Sequence, residues 1–325
     1  MARGIEARTY KWIRGDRATR IDGSPVMLYP GKIWYVDGDV ALSGAGETWT
    51  SAKSTIQAAV TAAGSGDTIL VRARAMATAA TDPVDYAETI IVPPALDRLS
   101  IIGVSRGLAQ GNLPQIKKGS GSVALLTVRS PGCYIANLGF NGASATGGGI
   151  LVESDASTKD AFGTVIENCH FKNCKGATAT SAATGGAIQL SGSPWQILIK
   201  GNRFYKNVGG IVLKDTANSV PQDLAIIDNS FGGSAAAVDC DIYLGGGSGA
   251  GVGLTIRGND FNVFPALASG AVLRWMDLGG ADGGIVAGNY FADDKTFGAT
   301  GTGALVPTTV FLSGNYDEGG LIART

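Results

Sequence analysis

Charge, histidine, cysteine and long apolar runs are all scarce in this chain. Only 16% of its 325 residues are charged, against roughly 25% in an average soluble protein. The 26 Lys and Arg nearly cancel the 27 Asp and Glu, leaving a net charge of -1 and a pI near 5.9. No global field draws such a chain to nucleic acid or to an anionic membrane, and neither is an expected partner. A single His and four Cys without a Cys-x-x-Cys unit do not make a zinc site; no metal and no cofactor is expected. Cys133, Cys169, Cys174 and Cys240 read as buried free thiols acting as small apolar side chains, with a disulfide between stacked units as the alternative. No stretch approaches the roughly 20 apolar residues of a membrane span. The opening MARGIEARTYKWIRGDR lacks the apolar core of a secretory signal, so the chain is expected to be made, and at first kept, in a cytoplasm.

What the chain has is glycine and a repeat. Its 49 Gly are about twice the usual share of roughly 7%, as suits a β architecture with many tight turns. One unit recurs as Ile135-Ala-Asn-Leu-Gly-Phe140, Ile166-Glu-Asn-Cys-His-Phe171, Ile199-Lys-Gly-Asn-Arg-Phe204, Ile226-Ile-Asp-Asn-Ser-Phe231, Ile256-Arg-Gly-Asn-Asp-Phe261 and Val286-Ala-Gly-Asn-Tyr-Phe291. A last unit, Leu312-Ser-Gly-Asn-Tyr-Asp317, loses the Phe. Successive units are 31, 33, 27, 30, 30 and 26 residues apart, each about one coil of a three-sided solenoid. The first apolar residue is expected to point inward and the Phe to return inward after a bend. Identical residues then stack at the strand spacing of roughly 4.8 Å. Asn202, Asn229, Asn259, Asn289 and Asn315 fall on the bend, where Asn tolerates left-handed backbone and its amide can bond the Asn above and below. They are expected to form a structural ladder rather than a binding site.

A second strand precedes each unit: Gly149-Ile-Leu-Val152, Ala187-Ile-Gln-Leu190, Gly210-Ile-Val-Leu213, Asp241-Ile-Tyr-Leu244 and Ala271-Val-Leu-Arg274. Near Trp275 the register is ambiguous, because Val272 and Leu273 cannot both face inward. Upstream, residues 1 to 32 carry Arg3, Arg8, Lys11, Arg14, Arg17 and Arg20 around Tyr10 and Trp12. They read as an extended arm, either a docking segment or a poorly ordered tail. Residues 33 to 325 form the repeating domain. Ser54 to Ala63 has Ile56, Ala59, Val60 and Ala63 on one helical face, as a cap over an open solenoid core would need.

Thr55-Ile-Gln-Ala-Ala-Val, Gly66-Asp-Thr-Ile-Leu-Val, Tyr86 with Glu88, and Leu99-Ser-Ile-Ile-Gly resemble the opening coils of pectate-lyase-like right-handed parallel β-helix proteins. The resemblance spans residues 33 to 105. It implies an all-β solenoid with a short capping helix, and it leaves the activity open, because one opening fronts lyases, hydrolases, adhesins and phage spikes.

Polysaccharide cleavage would need paired carboxylates, or a Ca²⁺ cluster with a basic residue, on neighbouring coils of one face. Glu153, Asp215, Asp239 and Asp241 are the catalytic candidates, with Lys214 and Asp277 also at strand ends; solvated turn residues are the alternative. The Asn-Thr-Asp, Asp-Asp, His-Gly and Arg-Ile-Lys series of polygalacturonase-like members is absent: Asp293-Asp294 stands alone, and His170 precedes Phe171. Trp195, Tyr243 and Trp275 are the candidates for stacking on sugar rings, if they face outward. The expectation is a non-enzymatic structural or attachment protein of a phage particle, assembled in the host cytoplasm. It would be a capsid decoration or a short spike, docked on capsid or tail proteins through the arm comprising Arg3, Arg8, Tyr10, Lys11, Trp12, Arg14, Arg17 and Arg20. Against the spike, the chain ends at Thr325 directly after its last coil, without a trimerisation module. A homo-oligomer is expected, a trimer by resemblance, with a cell-surface glycan as a further partner. The alternative is a polysaccharide lyase or glycoside hydrolase acting on such a glycan.

Overall fold

The computed structural model describes residues 31–75, 84–104, 113–117, 120–142, 146–155, 158–177, 182–214, 221–232, 240–245, 252–261, 274–292, 297–298, 304–317 and 319–322. Within them the strands form three sheets in which successive coils pair in parallel. The isoleucine sheet runs from Ile33–Val36 through Thr68–Arg72, Ser100–Val104, Tyr134–Ala136, Val165–Glu167, Leu198–Lys200, Ala225–Ile227, Leu254–Arg257 and Gly284–Ala287 to Val310–Ser313. The phenylalanine sheet includes Gly139–Asn141, His170–Lys172, Arg203–Tyr205, Ser230–Gly232, Asp260–Phe261, Tyr290–Phe291 and Tyr316–Asp317. The side sheet includes Ile90–Val92, Leu126–Val128, Ile150–Ser154, Ile188–Gly192, Ile211–Lys214, Cys240–Tyr243, Arg274–Asp277 and Ala304–Leu305. This is an all-β parallel β-helix with one continuous core.

The repeat columns explain the stacking. Ile135, Ile166, Ile199, Ile226, Ile256, Val286 and Leu312 lie in register, and all but Leu312 are fully buried. After the corner, Phe140, Phe171, Phe204, Phe231, Phe261 and Phe291 stack with centroids 4.6 to 5.1 Å apart and planes within 10°. Strand spacing imposes this separation, and each ring covers the next across a face that would otherwise meet solvent.

Between these columns runs the asparagine ladder. The Nδ2 of Asn202, Asn229, Asn259 and Asn289 donates to the Oδ1 of the next Asn at 2.9 to 3.0 Å. That Oδ1 also accepts the backbone N–H of the same residue at 2.9 to 3.1 Å. Each Nδ2 further donates to a carbonyl of the coil below, Asn259 to Ile226 at 3.0 Å for example. The ladder therefore satisfies buried backbone groups that the corner removes from the sheets. It begins at Cys169, whose N–H donates to Asn202 Oδ1 at 2.9 Å. Asn207 repeats the device, accepting from Cys174 N at 2.8 Å.

The left-handed backbone expected at the ladder residues belongs instead to the residue before each: Asn137, Asn168, Gly201, Asp228, Gly258, Gly288 and Gly314 all have φ between 52° and 65°. The ladder Asn must aim its amide inward, so its neighbour makes the turn, and only Gly, Asn or Asp appears there. A second left-handed column opens the isoleucine sheet at Arg98, Gly132, Gly163, Gln196, Asp223 and Gly253.

The cap is the helix Ile56–Ala62, with Ile56, Ala59 and Val60 buried and Thr55 capping Ala58 N–H at 3.2 Å. Glu88 accepts the N–H groups of Ile56 and Gln57, each at 2.8 Å. Burial pushes the Glu88 carboxyl above its ordinary value despite both bonds. Of the expected strand around residues 86 to 92, Ile90–Val92 is a strand of the side sheet, while Tyr86 makes an isolated parallel bridge to Ile116 and its hydroxyl donates to Arg72 O at 2.7 Å. At the far end Tyr316–Asp317 pairs antiparallel with Gly320–Leu321. All four Cys are free and buried. Burial raises the Cys133 thiol to about 11 and the Cys169 and Cys174 thiols to about 12.

Of the expected strand Ala271-Val-Leu-Arg274 only Arg274 is among the described residues, and the strand described there is Arg274–Asp277. Met276 aligns with Ile242, and Met276 and Leu278 continue the alternate inward pair that Ile242 and Leu244 form one coil below. Val272 and Leu273 lie outside the described residues.

Replacing Asn259 by Ala removes the acceptor of the Asn229 N–H and the amide donor to the Ile226 carbonyl, and breaks the ladder bonds on both sides; it is expected to cost about 3 kcal/mol. Asn168→Gly, at a left-handed position, is expected to change stability by less than about 1 kcal/mol. Denaturant unfolding of both variants checks the contrast; equal losses would refute the division of labour at the corner.

Candidate functional site

In a solenoid the outward residues flank the inward ones on each strand, so the sites are read along columns. On the side sheet, Glu153 faces outward beside Ser191, which pairs in turn with Lys214. Its carboxylate accepts from Arg129 Nε at 2.8 Å and Lys159 Nζ at 2.7 Å. Partial burial pushes this carboxyl up, but the hydrogen bonds from Lys159 and Arg129 outweigh it and hold Glu153 below the ordinary carboxylate value. A carboxylate so held is a poor proton donor; here it ties the Asp155–Lys159 turn to the sheet.

Asp241 is half-buried on the Cys240–Tyr243 strand, its carbonyl accepting from Gly210 N at 2.9 Å. The registers put it three strands and four residue positions from Glu153. At roughly 4.8 Å per strand and 3.3 Å per residue that is about 19 Å. Paired catalytic carboxylates stand about 5 to 9.5 Å apart, so Glu153 and Asp241 do not form such a pair. Asp215 and Asp239 lie outside the described residues, as do the arm residues Arg3, Arg8, Tyr10, Lys11, Trp12, Arg14, Arg17 and Arg20.

The aromatic candidates separate. Trp195 is 40% exposed at the corner leading into the isoleucine sheet, with its ring stacked on Phe162 at 4.8 Å. Tyr243 is half-buried and outward, in register with Val212 and Asp277. Trp275 is fully buried against Phe291, centroids 4.8 Å apart, and is no outer platform. Its place in the register is that of Gly149, Ala187, Gly210 and Asp241 in successive lower coils. A Cβ on Gly210 would lie 2.7 Å from the Phe231 ring, so this corner position points at the phenylalanine stack, and at Trp275 an indole fills it. His170 is half-buried between Gly139 and Arg203 on the phenylalanine sheet.

A surface that was not foreseen lies outside the isoleucine sheet. The residue before each inward column residue is Val165, Leu198, Ala225, Thr255, Ile285 and Phe311 in successive coils, with Tyr134 below. Phe311 is 66% exposed and the others are half-buried. The next outward column carries Glu167, Lys200, Ile227, Arg257, Ala287 and Ser313. By contrast, the phenylalanine sheet presents His170, Arg203, Ser230, Asp260 and Tyr290 at the corresponding place. The signal was available in the aligned repeat, in the position just ahead of each Ile.

The Glu153 ion pairs make a local prediction. Because its pKa is lowered in the fold, its contribution to stability is present above the ordinary carboxylate value and is lost as pH falls through the lower one. Glu153→Gln is expected to cost about 1 kcal/mol near neutral pH and almost nothing in acid. Thermal unfolding across pH checks this; a deficit independent of pH would refute the ion-pair role. No protein-family model matches the chain, and no curated protein matches it.

Proposed function

We propose that this chain is a structural or attachment component of a particle, in keeping with the phage virion type of β-helix that its opening coils resemble, and that it works by being packed against other proteins rather than by turnover. The observation that carries the reading is the apolar outer column Val165, Leu198, Ala225, Ile285 and Phe311. Parallel sheets in proteins are ordinarily covered on both faces. A largely apolar outer column, interrupted only by Thr255 and ending at the exposed Phe311, marks an interaction surface. The arm, residues 1 to 32, serves in this reading as a second attachment to capsid or tail proteins. Trp195, stacked on Phe162 and facing solvent, is the place where a surface glycan would be held.

The enzymatic alternative draws less support. Its carboxylates within the described residues are either neutralised, as at Glu153, or separated, as at Asp241. A cleavage reading therefore depends on Asp215 and Asp239.

The test follows particles. Particles banded from lysates of the encoding host are expected to carry the chain, detected by antibody, and Leu198→Lys or removal of residues 1 to 32 is expected to reduce its incorporation at least about tenfold, the effect of roughly 1.4 kcal/mol. Incubation with acidic polysaccharides is expected to release no new chain ends. Release that is lost in Asp241→Asn would replace this reading with the enzymatic one.

A further inference from the structure

Resting on the attachment reading, we infer that the outer face of the phenylalanine sheet is a binding surface of its own, and that its ligand is a saccharide bearing carboxylates. Between Glu167 and Asp215 the chain has no acidic residue and six basic ones, Lys172, Lys175, Lys200, Arg203, Lys206 and Lys214. In a chain of net charge -1, about two successive coils therefore carry positive charge only. The registers gather much of it on one face, His170 pairing with Arg203 and Lys172 with Tyr205, while Lys175 and Lys206 follow at the next corner. Lys172 is buried; Arg203 and Lys206 are exposed and Lys175 is half-buried. Among the described residues, none of Lys175, Arg203 and Lys206 forms an ion pair. Asp228, at the bend of the coil above Arg203, leans away from it: its Oδ1 lies 2.4 Å from where a Cβ on Gly258, one coil further up, would stand.

Uncompensated cations on a sheet face call for an anion, and the residues around them narrow its kind. Arg203 offers a planar fork that takes a carboxylate in two parallel hydrogen bonds. Tyr205, two residues along the same face, is 41% exposed, with Lys206 Nζ 5.1 Å from its ring centre. Its register partner in the coil above is Gly232, where a Cβ would meet nothing within 4 Å. The ring thus has an uncovered side on which the C–H face of a pyranose can rest. Up the column from Arg203 come Ser230, the exposed Asp260, Tyr290 and Tyr316. Asp260 stands two strands from Arg203, roughly 10 Å. A saccharide suits this order: its carboxylate meets Arg203, its hydroxyls donate to Asp260, and a further ring meets Tyr290 and Tyr316, whose centroids are 5.6 Å apart. A nucleic acid, with a charge at every phosphate, would set phosphates over Asp260 as well as Arg203. An apolar protein surface would bury the cations without partners, at a high cost.

Isothermal titration calorimetry of the full chain tests the inference, with oligomers of galacturonate, hyaluronan and sialic acid as probes, each beside its methyl ester. At least one acidic oligomer is expected to bind, its ester about tenfold more weakly or worse, and added salt is expected to weaken the binding. Arg203→Glu is expected to weaken it about tenfold or more, and Arg203→Lys, which keeps the charge and loses the fork, by an intermediate factor. Tyr205→Ala is expected to cost about fivefold. Arg257→Glu makes the same charge change on the isoleucine sheet and is expected to leave binding unchanged; circular dichroism controls for folding in every variant. Failure of the whole panel to bind, or binding that ignores esterification or Arg203→Glu in a folded protein, would overturn the inference. An oligonucleotide bound as tightly as the best saccharide would assign the face to nucleic acid instead. A chain that binds no acidic oligomer yet is incorporated into particles loses this inference alone. One that binds an oligomer through Arg203 but is absent from particles keeps the saccharide face and loses the particle reading.

Discussion

Everything in this molecule depends on the repetition of one distance, the spacing between hydrogen-bonded strands, because it lets like side chains on successive coils satisfy one another. At the asparagine corner the effect is polar: each amide accepts from the Asn below it and donates to the Asn above it and to a backbone carbonyl. A sharp bend in a buried chain would otherwise leave backbone groups without partners, which costs more than any single ladder bond contributes. One step along the chain the same spacing acts on phenylalanine, where it gives ring contacts in place of hydrogen bonds. The ladder and the ring stack share a cause, and neither works for a coil in isolation.

That mutual dependence makes the ends of the solenoid different from its middle. The first coils are closed by the helix Ile56–Ala62, held by Glu88 and by Gln57, whose Oε1 accepts Ile91 N–H at 2.7 Å. The final coil replaces Phe with Asp317 and folds back on Gly320–Leu321. Asp317 there accepts Gly319 N–H at 2.8 Å, which ties the fold-back to the strand.

The same regularity shapes what the protein presents to solvent. Outward residues form columns as strictly as inward ones, so the character of a whole face follows from one position of the repeat. Ahead of the inward Ile that position is mostly apolar, and ahead of the Phe it is mostly polar. The functional reading therefore concerns faces rather than a pocket. Glu153 illustrates the difference: an acidic residue at a strand end looks catalytic in isolation, yet its two cationic neighbours come from a preceding coil and a following turn.

By itself the sequence determined the coil period, the inward Ile and Phe columns, the asparagine ladder and the capping helix, because each is a short pattern that recurs or has local helical spacing. It did not determine which residue of the bend turns left-handed, since Asn is suited both to that conformation and to the ladder. Only inward aim of the amides resolved it, giving the turn to Asn168, Gly201 or Asp228. The strand holding Trp275 was likewise undecided, because several apolar residues compete there and register with Ile242 selects Met276. The separation of Glu153 from Asp241 and the apolar stripe from Val165 to Phe311 came from the tertiary structure, because both depend on which residues of different coils lie side by side. Periodicity along a chain specifies what faces inward; only the stacking of coils specifies what stands next to what on the outside.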